Sequence, residues 1–462
     1  MEVISQLTAK LGPDKIITGD DLKDRYTHVW SMDTPLVAKA LILPNNTKDI
    51  SIICEVCNKY KQPIIVHGGL TNLVGSTTAN INQIVVSLEK LDQIIEVDQV
   101  GRNMTVEAGV LLENIHNAAD GQDLLFPLNF GAKGSAQIGG CISSNAGGMR
   151  VIKYGMTRNQ ILGLEAVLAD GTIISSMKKI IKDNSGYDIK QFFIGAEGTL
   201  AIITKAVLRL REKPSSRNCA FIGFDDFKMV VNFLKYIDKA LGGKLSCYEV
   251  LWKSTYMALT SPPSQLSPPL SYQYKYYVLI EALGGAVDED SSHFSSALQT
   301  ALEKELILDA AIANSASDLS WFFNIREDVG VLKSGKGFDQ HFDISLPISE
   351  IGDYVETTLN VLNGLEKVII AYAFGHLADG NIHFIVMKES EDFDLKEMIN
   401  KVVYGPLEEF NGSVSAEHGI GLDKKAYLHL SRSVAEIDTM KHLKRALDPN
   451  NILNPGRIFD FN

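Results

Sequence analysis

Apolar positions in the first half of the chain fall in short runs broken by glycine-rich turns. VAKALILP, PIIVHGG, QIVVSLEKL, QIIEVD, NMTVEAG, LGLEAVLADGTII and GTLAIITKAVLRL each read as strands. Asp170-Gly171, set between two such runs, predicts a hairpin turn. Helical spacing is confined here to about residues 47–60 and 110–120. From KPSSRN at about residue 213 onward the pattern changes. FDDFKMVVNFLKYIDKALGG predicts a helix closed by glycines, residues 287–305 another, and LSCYEVLW, YYVLIEALGG, LDAAIAN, HFDISLP, KVIIAYAFGH and NIHFIVM predict strands. The reading is α+β: two sheet-rich lobes, then an antiparallel sheet with helices on one face. SPPSQLSPPLSYQYK predicts an extended loop, either a lid or a plain surface excursion. The tail VAEIDTMKHLKRALDPNNILNPGRIF predicts a helix stopped by Asp448-Pro449 and an extended end.

Composition narrows the function classes. The 462 residues carry 44 Lys+Arg and 56 Asp+Glu, a net charge of −12, with no run of four basic residues, so a nucleic-acid partner is not expected. No basic-then-apolar leader and no run of about 18 apolar residues is present, so we expect no transmembrane segment. A cytoplasmic location is expected, with peripheral contact at the inner face of a membrane left open. Five scattered cysteines (54, 57, 141, 219, 247) do not suggest a disulfide framework. Cys54 and Cys57 share a helical face with Ile50 and Ile53 and have no second CxxC, which favours buried cysteines over zinc ligands. No cysteine cluster or CxxCH suggests a second redox centre.

Thirty-seven glycines against 14 prolines point to tight turns and close backbone approaches rather than disorder. PIIVHGGLTNLVGSTT follows a strand and groups glycines with short hydroxyl and amide side chains, which suits either a plain turn or an anion nest for a pyrophosphate. FPLNFGAKGSAQIGGCISSNAGGMRVIKYG is a second glycine-rich stretch. Ordering so flexible a segment is costly unless a bulky ligand supplies contact area.

The two loops, with GAEGTLAIIT at 195–204 and the terminal NPGRIF, resemble the vanillyl-alcohol-oxidase type (PCMH-type) of FAD enzymes, in the branch of the D-lactate, glycolate and D-2-hydroxyglutarate dehydrogenases. The resemblance covers essentially the whole chain. It implies an FAD-binding domain at 1–212, a substrate or cap domain at 213–422 and a C-terminal segment at 423–462 that returns to the first. It further implies that Gly68, Gly69, Leu70, Thr71, Asn72, Gly75 and Ser76 cradle the pyrophosphate. Pro127, Gly134, Ser135, Ile138, Gly139 and Asn145 would line flavin and adenosine, Glu197, Gly198 and Ile202 the adenine side, and Asn454 the isoalloxazine region. The family usually has Gly or Asn at the Leu70 position and Gly at the Asn72 position. His67 precedes the Gly-Gly pair, whereas an attaching histidine would follow it, so FAD is expected to be non-covalent.

In GHLADGNIH, His376 and His383 flank an Asp-Gly turn, and SVSAEHGIG supplies Glu417 and His418. Spacing alone fits either hairpin residues or two ligands of a divalent ion. The resemblance implies that His376, His383 and Glu417 hold a metal, zinc by preference with manganese or iron as alternatives, and that His418 is the general base. Arg326, in WFFNIREDVG, reads from sequence as a surface Arg-Glu pair, whereas the resemblance implies a clamp on the substrate carboxylate.

Gly330, His341 and Ile385 stand where the D-2-hydroxyglutarate enzymes place Thr, Lys and Asn. The expected substrate is therefore a D-2-hydroxy acid with one carboxylate, such as D-lactate or D-mandelate. His341 is kept among the catalytic candidates because, protonated, it can replace the Lys. The alternatives are a D-2-hydroxyglutarate or D-malate dehydrogenase and a transferase like alkyl-glycerone-phosphate synthase. Electrons would pass to an external quinone, electron-transfer flavoprotein or cytochrome, with oxygen also open, and a homodimer is compatible with the sequence.

Overall fold

The computed structural model describes residues 2–30, 32, 34–333 and 338–461. The chain divides into two compact units. The first comprises 1–147, 155–213 and 417–462, the second 148–154 and 214–416. Sequence reasoning drew its lines at 212/213 and 422/423, and so left 148–154, 213 and 417–422 on the other side.

In the first unit, Ile16–Ile17 (β1), Ala40–Ile42 (β2), Ile64–His67 (β3) and Ile84–Ser87 (β4) form a sheet of order β1-β2-β4-β3. The β2–β4 and β3–β4 pairs are parallel. Helix Thr47–Lys59 makes the β2-to-β3 connection, with Asn46 capping it through Asp49 N, and it buries Ile50, Ile53, Cys54 and Cys57. All five cysteines are free and buried. Ile94–Asp98 (β5), Asn103–Glu107 (β6), Ile161–Val167 (β8), Ile173–Ser176 (β9) and Ile202–Arg209 (β10) form an antiparallel sheet of order β5-β6-β10-β8-β9. Leu124–Leu125 (β7) and Arg211–Glu212 (β11) pair separately. Asp170-Gly171 closes the β8–β9 hairpin, with Gly171 at φ +89°.

The glycine-rich stretch after β7 is not wholly irregular. Ile138–Ser144 is a short helix that ends on Asn145 in the left-handed conformation, φ +51°. Its glycines concealed the period.

The second unit is built on a seven-stranded sheet: Ser216–Phe224 (β12), Leu245–Trp252 (β13), Tyr276–Gly284 (β14), Asp309–Ile312 (β15), Asp339–Ser345 (β16), Val368–His376 (β17) and Asn381–Lys388 (β18). The order is β15-β12-β14-β13-β17-β18-β16, antiparallel throughout. Helices cover its centre on both faces, not on one. Phe233 of helix Phe227–Leu241 meets Phe224 and Tyr248, while Tyr256 and Phe322 meet Phe221 from the opposite side. Every residue of β13 is accordingly buried, as expected of a strand without polar alternation.

Two local features differ from the sequence picture. The proline-rich loop is pinned, since Tyr256 Oη donates to Leu270 O and accepts from Leu270 N, and Leu270 and Tyr274 are buried. Residues 148–154 belong to the second unit because Arg150 makes a two-pronged pair with buried Glu281 at 2.9 Å each, and Lys153 Nζ donates to Leu283 O at 2.7 Å. Arg217 adds a third bond to Glu281 at 2.6 Å.

Candidate functional site

The first unit holds a cleft with an empty volume of about 1340 Å³, its open mouth included. Gly68, Gly69, Leu70, Thr71, Asn72, Ser76, Gly139, Glu197, Gly198, Ile202 and Asn454 line it, as do Glu417 and His418. Gly75, Pro127, Gly134, Ser135, Ile138 and Asn145 do not. Ile138 sits in the core and opens the short helix, Pro127 is buried, Gly75 packs on Asp423, and Asn145 caps the helix and accepts from Arg158 N at 2.9 Å.

The walls are backbone where a large ligand would need it. A Cβ on Gly69 would stand 2.0 Å from Ser135 O, and one on Gly198 would stand 2.6 Å from Asn454 Nδ2. Leu70, Glu197 and Asn454 all have positive φ, +57°, +49° and +42°. For Leu70 this conformation costs about 1–2 kcal/mol relative to a residue at ease there. Gln137 Oε1, buried in the cleft wall, has no hydrogen-bond partner among the described residues. A glycine-walled cleft with an unsatisfied acceptor fits a flat cofactor that carries N–H donors, as FAD does.

The loop at 68–77 is braced from within. Asn72 Oδ1 accepts from Ser76 N at 3.0 Å and Val74 N at 3.3 Å, and its Nδ2 donates to Thr77 Oγ1 at 2.7 Å. Ser76 N is thus committed to Asn72, and the asparagine serves the loop's shape. Arg457 Nε donates to Ser76 O at 3.1 Å, and Asn454 ties Val66 N to Glu197 O at 2.8 and 2.7 Å. In this way the NPGRIF tail fastens to the loop. Burial lowers Arg457 to about 10 against the pull of Glu197.

Glu197 joins three cleft elements. Its carboxylate accepts from Ile420 N at 2.6 Å, Gly421 N at 2.8 Å and Ser76 Oγ at 3.2 Å. Burial raises its pKa, while those bonds work to lower it. The segment just after Glu417 and His418 therefore hangs on the GAEG turn. Trp30 and Gln137 also line the cleft and carry no signal in the sequence beyond their neighbours. His67 is buried, with Nε2 on Thr77 O at 2.8 Å, and burial depresses it to about 4.

The second unit brings His376 and His383 together. The Asp379-Gly380 reversal, with Gly380 at φ +83°, joins β17 to β18 and sets His383 opposite Phe374, two residues before His376. The imidazoles stand nearly perpendicular, their centroids 5.3 Å apart. Register gives each a buried carboxylate one strand over: Glu249 faces His376 and Asp343 faces His383. His376 Nδ1 bonds Glu249 Oε1, and His383 Nδ1 lies 3.7 Å from Asp343 Oδ1. Imidazoles backed at Nδ1 by carboxylates keep their proton there and present the Nε2 lone pair, which is the pattern of metal-ligating histidines. The donor set fits a divalent ion.

Arg326 is buried, not a surface residue. Its Nε donates to Glu249 Oε2 at 2.6 Å, and its guanidinium lies 4.7 Å from the Phe374 ring centre. Among the described residues Nη1 and Nη2 make no hydrogen bond. Burial would raise Glu249, but His376 and Arg326 overcome this and hold it at about 2. His341 and Ile385 are direct cross-strand partners on the face shared by Asp343 and His383. His341 is exposed, and Ile385 packs with Phe374.

Comparison with known proteins matches this layout. A family model described as FAD binding domain matches residues 38–176, and one described as FAD linked oxidases, C-terminal domain, matches 213–458. The mitochondrial D-2-hydroxyglutarate dehydrogenase of Danio rerio is 34% identical over 450 residues, 97% of this chain and 84% of that protein. A protein of Schizosaccharomyces pombe, provisionally named a mitochondrial D-lactate dehydrogenase, is 35% identical over 96% of this chain and 86% of its own. Among solved structures, p-cresol methylhydroxylase superposes with a TM-score of 0.77 at 16% identity, covering 100% of this chain and 97% of that one. An alkyldihydroxyacetonephosphate synthase does so at 0.74 and 16%, covering 98% and 84%. At such identity these two likenesses concern the fold: a PCMH-type FAD-binding architecture with an α+β second domain. Among the described residues no helix is long and apolar enough to cross a membrane. With family models over both halves and relatives along nearly its whole length, the protein belongs to the FAD-linked oxidases, in the branch of the D-2-hydroxyglutarate and D-lactate dehydrogenases.

Proposed function

We propose that this chain oxidises a D-2-hydroxy acid to the 2-oxo acid, preferring a substrate with one carboxylate and an apolar remainder, such as D-lactate or D-mandelate. The observation that carries the reading is Arg326, anchored through Nε in the interior with both terminal nitrogens uncommitted beside the paired histidines. A fork so held suits a planar carboxylate. His418, on the cleft wall, takes the hydroxyl proton as general base. His376, His383 and Glu417 would hold a divalent ion, zinc, manganese or iron, whose contribution is to lower the pKa of the hydroxyl. Bound non-covalently in the glycine-walled cleft, FAD supplies the hydride acceptor. An external carrier such as a quinone, an electron-transfer flavoprotein or a cytochrome then takes the electrons. Five free, buried cysteines support a reducing compartment, the cytoplasm in our reading.

The preference for a monocarboxylate rests on Ile385 and Gly330, which offer no polar group to a second carboxylate. A dicarboxylate reading, D-2-hydroxyglutarate or D-malate, is favoured by the names of relatives and by exposed His341 beside Ile385. Anaerobic flavin bleaching by D-lactate, D-mandelate, D-malate and D-2-hydroxyglutarate, with and without a chelator, tests both. Fastest reduction by the dicarboxylates overturns the preference, and indifference to chelation overturns the metal role. Bleaching by a hydroxy acid without lipid also separates this reading from an alkyl transferase.

A further inference from the structure

One buried carboxylate serves two of the groups just assigned. Glu249 has no exposed surface and lies directly across from His376 in the β13–β17 pairing. One of its oxygens meets His376 Nδ1, and the other accepts from Arg326 Nε at 2.6 Å. We infer that Glu249 is a positioning residue that sets the ligand nitrogen of His376 and the carboxylate-binding fork of Arg326 together. The inference rests on the reading that His376 holds a metal and Arg326 the substrate.

The chemistry follows from the inventory of donors. An ionised carboxylate only accepts, so it fixes the proton of His376 on Nδ1 and leaves the lone pair on Nε2. Anchoring Arg326 by Nε, with Phe374 against the guanidinium face, orients Nη1 and Nη2 as a pair rather than as a rotating cation. A glutamine has one acceptor and one donor head, so it can serve one partner and must turn N–H toward the other. Glu281 provides a comparison in the same unit. It is equally buried, but its bonds go to Arg150, Arg217 and Ser246, none of them a proposed site residue.

The test uses the full FAD-loaded chain as wild type, Glu249→Gln, Glu249→Asp, Glu281→Gln and His383→Ala. Zinc affinity is read by competition with a chromophoric chelator, KM and kcat with the best acid of the panel, and Tm by fluorescence. Glu249→Gln should weaken zinc about 10- to 100-fold and raise KM at least about tenfold. Glu281→Gln should lower Tm and leave both unchanged. Wild-type zinc affinity and KM in Glu249→Gln, whatever its Tm, overturn the inference. If that variant does not fold, Glu249→Asp, one methylene short of spanning both partners, is read the same way. Failure of both to fold beside a folded Glu281→Gln assigns Glu249 to stability and also overturns it. A wild type that binds no zinc, or a His383→Ala that binds it equally, sinks the metal reading and the inference with it. A defective His383→Ala beside an intact Glu249→Gln sinks the positioning role alone.

Discussion

Substituting Gly69 by alanine adds one carbon where the cleft wall has no room for it. The new Cβ would stand 2.0 Å from Ser135 O and 2.9 Å from both Ala136 Cα and Gln137 N. Ordinary contact begins near 3.4 Å, so the 135–137 chain must retreat by roughly 3.4 − 2.0 = 1.4 Å. Every obstacle is backbone, so no rotamer change relieves the clash. The segment is also held from behind, with Leu112 N on Ala136 O at 2.9 Å and Ile138 N on Val110 O at 2.9 Å. Overpacking of this kind costs about 1–3 kcal/mol. Because Ala136 and Gln137 are themselves cleft wall, the displacement should reach the cofactor. At about 1.4 kcal/mol per decade, FAD affinity should fall by about 5- to 150-fold. Tm should drop by about 2–12 °C. Quenching of protein fluorescence on adding FAD to the apo protein measures the first, and thermal unfolding the second. Gly131→Ala is the control, since a Cβ there meets nothing within 4 Å. Wild-type FAD affinity and Tm in Gly69→Ala would refute the argument that this close approach builds the cleft.

Glu197→Gln loses one of two charge-assisted acceptors for Ile420 N and Gly421 N, at a cost of about 1.5–3 kcal/mol. It should lower Tm and slow flavin reduction by loosening the segment that follows His418, and no change in either contradicts the role given to it. Arg326→Lys keeps the charge but not the fork. It should raise KM about 10- to 100-fold with a smaller effect on kcat, whereas an unchanged KM removes Arg326 from substrate binding. Stability should fall on acidification in two steps, the upper one partly offset by Asp379, whose carboxyl burial raises to about 6. His67, depressed to about 4, leaves the unfolded chain binding more protons between about pH 6.5 and 4, and Glu249 and Glu281, held at about 2, lose their contribution from about pH 4.5 downward. His67→Gln should flatten the upper step in a Tm-against-pH series, and a curve unchanged there refutes the assignment. Leu70→Asn relieves a left-handed residue and should raise Tm by a few degrees. A lower Tm would show that Leu70 packing outweighs the backbone strain.

What the sequence determined by itself is what short-range physics encodes. Asp170-Gly171 and Asp379-Gly380 specify reversals because glycine tolerates positive φ there, and the second reversal alone brings His376 near His383. Helix Thr47–Lys59 follows from the period of Ile50, Ile53, Cys54 and Cys57, and glycines of the first loop and of the stretch after it line the cleft. The short helix Ile138–Ser144 escaped because its glycines erase the apolar period on which such readings depend.

The tertiary structure decided what distant segments do to one another. Arg326 read as a surface residue because its own helix is uninformative. It is buried with its Nε on Glu249, on a strand 77 positions away, which has no local signature. The same strand meets His376 across 127 positions, through a register fixed by packing on both faces of the sheet. Glu197 reaches Ile420 across 223 positions, and Arg150 carries a piece of the first half of the chain into the second unit. Turn and helix preferences are set by a few neighbouring dihedrals. A buried carboxylate finds its partners only when a whole sheet has chosen its strand order, and for that reason the paired histidines were legible in the chain while the carboxylates beside them were not.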